Sequence, residues 1–202
     1  MDEKEKTIAN FNKNAAAYDT GSFYRFPRKL RPLVLSEIEA AAYSSLLDVG
    51  CGTGALLSQL SAQRPDAAYF GLDISENMLA QAREKLPPSV VLTLGDAENL
   101  PYPDRTFDVV SCTESFHHYP NPGRALSEMR RVLRDGGRFI LCDTWIVPPL
   151  RPILNFTFRF GSRGDVRVYS RGEIIALLRG AGFREVRWQR AAYYAYLCTG
   201  LA

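Results

Sequence analysis

The sequence predicts an α/β protein: a doubly wound sheet of seven strands, mostly parallel, with an antiparallel C-terminal hairpin and a helical segment in front of it. Three observations predict it. Short apolar runs alternate with longer amphipathic ones from residue 45 onward. The first run ends in a glycine turn that opens a helix. The last two runs follow each other too closely for a helical crossover, so they must pair as a hairpin.

Each element has its own signal. Residues 1–44 read as helical, with Pro27 and Pro32 breaking the pattern. Strands are predicted at Ser45–Val49, Ala68–Asp73, 90–94, 107–112 and 138–143, all rich in Leu, Val, Ile, Phe or Tyr. Helices are predicted between them at Ala55–Gln63, 76–86 and 122–134. In the second of these Met78, Leu79, Ala82 and Leu86 recur at helical spacing, and Ser75 is a fitting N-cap. Residues 145–168 are rich in proline and arginine, a helix follows at 171–179, and strands near 183–190 and 193–199 close the sheet. Parallel strands joined by right-handed crossovers place the ligand crevice at their carboxyl ends, with residues 1–44 expected over it.

Composition narrows the function classes. At 202 residues the chain suits one domain, and 46% hydrophobic with 23% charged residues suits a packed core and not a disordered chain. No apolar run approaches the roughly 20 residues of a bilayer span, and the charged first residues lack the apolar stretch of a signal peptide. A cytoplasmic protein without stable membrane insertion is expected. Cys51, Cys112, Cys142 and Cys198 form no CxxC pair and read as reduced core or site-lining thiols, not disulfides or a metal cluster. The net charge of +3 is too small to argue for nucleic acid but is unevenly spread. Residues 1–123 carry 11 basic and 16 acidic side chains; residues 124–202 carry 14 and 6, and all 14 are arginine. That excess is either a solvated basic face or a rim that attracts an anionic substrate or surface.

The chemistry centres on the turn Asp48-Val49-Gly50-Cys51-Gly52-Thr53-Gly54. Glycine lacks a Cβ, so the main chain here can turn tightly and approach a ligand. The pattern alone also satisfies a loose dinucleotide fingerprint, which makes an NAD(P)-dependent oxidoreductase the rival reading. Charge separates the two. Asp48, Asp73 and Asp96 stand at the carboxyl ends of three successive strands, where a pyrophosphate would be repelled. A ligand with a cationic end, a ribose diol and an exocyclic amine would be held, and S-adenosylmethionine has all three.

The chain resembles a class I S-adenosylmethionine-dependent methyltransferase of the UbiE-like, type 11 group, a Rossmann-like family. LLDVGCGTG resembles the first motif of that family, FGLDIS its second-strand acidic motif, and GDAENLPYPDRTFDVV its adenine-side loop. FHHYPNPGRALSEMRRVLRDGGRFILCDT and FNKNAAAYD resemble its fifth-strand and N-terminal lid segments. The resemblance implies a lid at residues 1–44 and a cofactor domain at 45–202, with 145–168 capping the substrate. It implies that Asp48 and the backbone from Gly50 through Cys51, Gly52 and Thr53 to Gly54 surround the methionine part of the cofactor. Asp73 would accept the ribose hydroxyls, Ile74 and Met78 would pack on the adenine, and Asp96 and Ala97 would meet its edge. Tyr18 would close from the lid, with Thr113 at the end of the fourth strand completing the cofactor site. S-adenosylhomocysteine would be the product.

Methyl transfer needs alignment and water exclusion more than an obligatory catalytic group. Should the acceptor carry a proton, Glu114, His117 and His118 are the base candidates, because they follow the fourth strand and face the crevice. Adjacent histidines seldom converge on one ion, so no metal is expected. Tyr24, Phe26, Trp145, Phe156, Phe158 and Phe160, with Arg25, Arg28, Arg151, Arg159, Arg163 and Arg167 among them, either line the acceptor site or pack within the lid and point to water. In the first case the acceptor is a small, apolar or aromatic molecule with an anionic group. The sequence lacks an NPPY-like tetrapeptide and a Pro-Cys nucleophile, which argues against nucleic acid as substrate. A non-catalytic S-adenosylmethionine-binding protein is the remaining alternative.

Overall fold

The computed structural model describes residues 2–21 and 25–202, with backbone only for 25–27; Tyr24 and the side chains of Arg25 and Phe26 lie outside the described residues. Seven strands form one sheet: β1 (Ser45–Val49), β2 (Ala68–Asp73), β3 (Val91–Leu94), β4 (Phe107–Thr113), β5 (Leu133–Thr144), β6 (Arg184–Ala192) and β7 (Ala195–Leu201). Their order is β3-β2-β1-β4-β5-β7-β6. The first five are parallel, and β7 runs antiparallel to both β5 and β6. Strand order reverses between β1 and β4, which places a crevice at their carboxyl ends.

The helices are α1 (Glu3–Asn14), α2 (Arg25–Glu39), α3 (Ala55–Gln63), α4 (Glu76–Lys85), α5 (Pro122–Val132), α6 (Arg151–Phe158) and α7 (Arg171–Gly180). None among the described residues is long and apolar enough to cross a membrane. Neighbouring strand residues alternate between two cores. Leu47, Val110 and Phe139 pack with Leu126 and Met129 of α5 and with Ile174 and Leu178 of α7. Leu46, Val109 and Ile140 pack with Val34 and Ile38 of α2 and with Leu57 and Leu60 of α3.

Four expectations are corrected. Neither Pro27 nor Pro32 breaks α2. Pro27 sits in the first turn, where its missing N–H has no intrahelical partner anyway, and burial of Leu30, Val34, Leu35 and Ile38 offsets the bond lost at Pro32. Helix α5 stops at Val132, and β5 starts at Leu133, because Leu133 pairs with Phe107 and Gly136 takes a positive φ of 76°. Residues 145–168 contain α6, a helix with no buried side chain. Phe156 and Phe160 are 60% and 77% exposed, so they neither line a closed site nor pack within the lid.

Candidate functional site

The carboxyl ends of β1, β2 and β4 and the loop after β3 open on one cavity, of about 1160 Å³ with its mouth included. Gly50, Gly52 and Gly54 have φ of 74°, 54° and 75°. The N–H groups of Gly50 and Cys51 both donate to the Leu72 carbonyl, at 2.7 and 3.0 Å, and tie the turn to β2. The three glycines differ in what a Cβ would meet. On Gly50 it would lie 2.1 Å from Ser115 Oγ, whereas on Gly52 it would meet nothing within 4 Å. Gly50 is therefore a packing requirement, and Gly52 leaves the main chain open to the cavity. Gly54 does not line the cavity. Its Cβ would stand 2.7 Å from Leu86 Cδ1, so this glycine lets α3 approach α4.

Asp48, Asp73 and Asp96 all line this cavity. Asp48 is 1% exposed and accepts from Ser111 Oγ at 2.7 Å. Burial pushes its carboxyl up to about 7, with Asp73 adding to the rise and Ser111 and Arg31 opposing it. Asp73 accepts the Gly52 N–H at 2.8 Å on one oxygen and the Ser75 N–H at 2.9 Å on the other. Burial also raises its pKa, against these bonds. Asp96 accepts from Lys4 Nζ at 2.7 Å, and the same ammonium donates to Glu98 at 2.6 Å. Tyr18, Cys51, Thr53, Ile74, Met78, Ala97 and Thr113 complete the expected set in the wall.

Residues that sequence reasoning missed come mainly from the N-terminal helices. Lys4, Thr7, Phe11, Leu30, Arg31 and Val34 face the cavity opposite the strand ends, and Ser115, Tyr119 and Cys142 join from the sheet side. The segment is fastened at several points. Asn12 accepts from Ser75 Oγ at 2.7 Å, Thr53 Oγ1 donates to Asp19 at 2.7 Å, and Asp19 pairs with Lys85. No local pattern announces these meetings; Lys4 and Asp96 are 92 positions apart.

Past Thr113 the chain turns through Glu114 at φ 51°, held by a bond from its N–H to the Cys142 carbonyl (2.8 Å). A positive φ costs a glutamate about 1 kcal/mol or more, and such strain collects at functional sites. Its Oε1 is buried and meets no hydrogen-bond partner among the described residues. Burial and the nearby Asp143 push the Glu114 carboxyl well above the usual range. Glu114, His118, Phe11 and Tyr18 line both the main cavity and a second chamber, whose other walls include Asn10, Asn14, Thr144 and Asp165.

The two histidines part company. His118 is in the main cavity wall, with Nδ1 3.0 Å from the Gly164 carbonyl, an acceptor that requires the proton on Nδ1 and leaves Nε2 bare. Burial and His117 drive its pKa down to about 3, so it is neutral. His117 lines the second chamber and not the main cavity. Its ring turns to Asp143, with Nδ1 2.6 Å from Oδ1, while its N–H donates to Oδ2 at 3.0 Å. Burial opposes its charge, but Asp143 prevails and lifts it to about 9.

Adjacent histidines do converge here: ligand atoms of His117, His118 and Asp165 lie within 4.8 Å of one another. Both Nδ1 atoms already have partners in Asp143 and Gly164. All four cysteines are buried free thiols.

Residues 47–141 match the family model described as "Methyltransferase domain". The chain is 34% identical to malonyl-[acyl-carrier protein] O-methyltransferase of Geobacter sulfurreducens, over 92% of this chain and 73% of that protein. It is 36% identical to demethylmenaquinone methyltransferase of Symbiobacterium thermophilum, over 70% of this chain and 61% of that one. The chain thus spans under two thirds of the second relative's length. Among solved structures, a putative methyltransferase in complex with the Haloferax volcanii Trm112 activator superposes with a TM-score of 0.84 at 21% identity, over 97% of both chains, which shows the shared fold. The chain belongs to the class I S-adenosylmethionine-dependent methyltransferases.

Proposed function

We propose that the chain binds S-adenosylmethionine in the main cavity and methylates a small molecule held in the adjoining chamber. The observation that carries this reading is the meeting of Asp48, Asp73 and Asp96 with the open main chain of Gly52 on one cavity. The residues suit the cofactor's parts. Asp48 and residues 50–53 would hold the methionine end, Asp73 the ribose hydroxyls, Ile74 and Met78 the adenine faces, and Asp96 with Ala97 its edge. When bound, the cofactor supplies a methyl group activated by a sulfonium. A pyrophosphate on the same turn would face Asp48 and Asp73, which weighs against NAD(P).

Residues 1–44 act as the lid and 45–202 as the binding domain, with 145–168 at the acceptor side. Glu114, at the junction of the two spaces, takes the acceptor's proton on Oε1, a role favoured by a carboxyl with raised pKa. His118 offers its bare Nε2 to orient the acceptor, and His117 with Asp143 holds the loop's charge in place. A chamber beside the cavity, walled by such groups, favours catalysis over a binding-only role.

Calorimetric titration of Asp73→Ala with S-adenosylhomocysteine tests the cofactor assignment. A loss of about 1–3 kcal/mol, the scale of a charged hydrogen bond, is expected; unchanged affinity would remove Asp73 from the site. Glu114→Gln should keep that affinity and lose turnover once an acceptor is known.

A further inference from the structure

Helix α6 stands apart from the other helices: none of its side chains is buried. Ile153 and Phe156 on the helix are 63% and 60% exposed, and Leu150 just before it and Phe160 just after it are 56% and 77% exposed, so four large apolar side chains follow one another at spacings of three and four. Exposed side chains this large and this close together mark an interaction surface more than chance exposure does. Its charge is one-sided. Between Asp143 and Asp165 there is no acidic residue, and there are three arginines, Arg151, Arg159 and Arg163. Arg151 and Arg159 make no ion pair among the described residues.

We infer that this face of α6 docks on an anionic lipid bilayer, its apolar side chains entering the headgroup boundary while the arginines meet the acidic headgroups. Residues 144–164 offer an apolar stripe with arginines and no acidic side chain of their own, the pattern that a negatively charged interface selects, while Glu3 and Glu173 in the neighbouring groove are neutralised by Lys6 and Arg167. A second copy of the chain fits it less well, because antiparallel packing of α6 about a two-fold axis would set Arg151 against the Arg159 of the other copy without a counter-charge from this segment. Position adds a reason for such docking. Phe156, Phe158 and Arg159 line a groove that reaches Asp165, and Asp165 also walls the second chamber, so that side of the protein would face the membrane. The inference goes beyond methyl transfer and does not depend on it.

Flotation of the full chain with vesicles tests it without any activity assay. The wild type should float with phosphatidylglycerol–phosphatidylcholine vesicles, less with phosphatidylcholine alone, and less at high salt. Ile153→Ser/Phe156→Ser/Phe160→Ser and, separately, Arg151→Gln/Arg159→Gln should each lower partitioning by about tenfold or more. Both variants should unfold at the wild-type temperature, since no altered side chain is buried. Absence of wild-type flotation, or full flotation of the triple serine variant, would overturn the inference. So would a wild-type dimer in sedimentation that the triple variant turns into monomer, because the patch would then belong to a second copy.

Discussion

The two sides of the cleft are built differently. On the β1–β2 side, ligand-facing groups are main chain and short carboxylates fixed within a few residues of a strand end: Gly52 N–H bonds Asp73, and Asp73 bonds Ser75. On the β4 side, the lining is assembled over long distances, with Glu114 set by Cys142, His117 by Asp143 and His118 by Gly164. One side is a fixed mould that suits a cofactor common to many relatives. The other is a meeting of separate segments, each free to vary, which suits an acceptor that differs from one relative to the next.

The largest effect should come from Gly50→Ala. Positive φ and the clash with Ser115 together should cost about 2–4 kcal/mol of stability, read by denaturant unfolding. Gly52→Ala should cost only about 1 kcal/mol of stability, because its Cβ meets open space, yet it should remove most cofactor affinity in a titration. If the two variants behaved alike, the distinction between packing and binding glycines would fail.

Asp48 gives the mould a pH dependence. Its folded pKa of about 7 is above the ordinary 3.8, so its stabilising contribution is fully present below 3.8 and is lost as pH rises through about 7. Thermal unfolding across that range should show the decline, and Asp48→Asn should flatten it. A cationic ligand favours the ionised carboxylate. S-adenosylmethionine affinity should therefore rise between pH 6 and 8 by up to about tenfold, and that of S-adenosylhomocysteine, which keeps the ammonium but lacks the sulfonium charge, by less. Parallel profiles would place the sulfonium away from Asp48. The smallest effect belongs to the lid: Lys4→Met, which leaves Asp96 and Glu98 without their cation, should cost about 0.5–1 kcal/mol of stability and speed cofactor release in stopped flow.

This difference between the sides also governed what the sequence disclosed. The bounds of β1, β2 and α3 match their expectations because each lies between local signals, an apolar run and a glycine or Pro-Asp turn. The three carboxylates were legible for the same reason. Pro32 misled, because its local cost is outweighed by the apolar face of α2 against the sheet. Gly54 belonged to the glycine pattern, but its neighbour Leu86 is set by the packing of α4 and not by the motif. Lys4 and the turn of His117 toward Asp143 depend on residues distant in sequence, so no periodicity could point to them.

Calorimetric titration of the purified chain with S-adenosylmethionine, S-adenosylhomocysteine, NAD and NADP, after removal of any co-purified cofactor, tests the central claim most directly. Saturable binding of the first two and none of the dinucleotides is the predicted result. Binding of NAD or NADP alone would mean that the glycine turn holds a pyrophosphate despite Asp48 and Asp73, and would contradict the account.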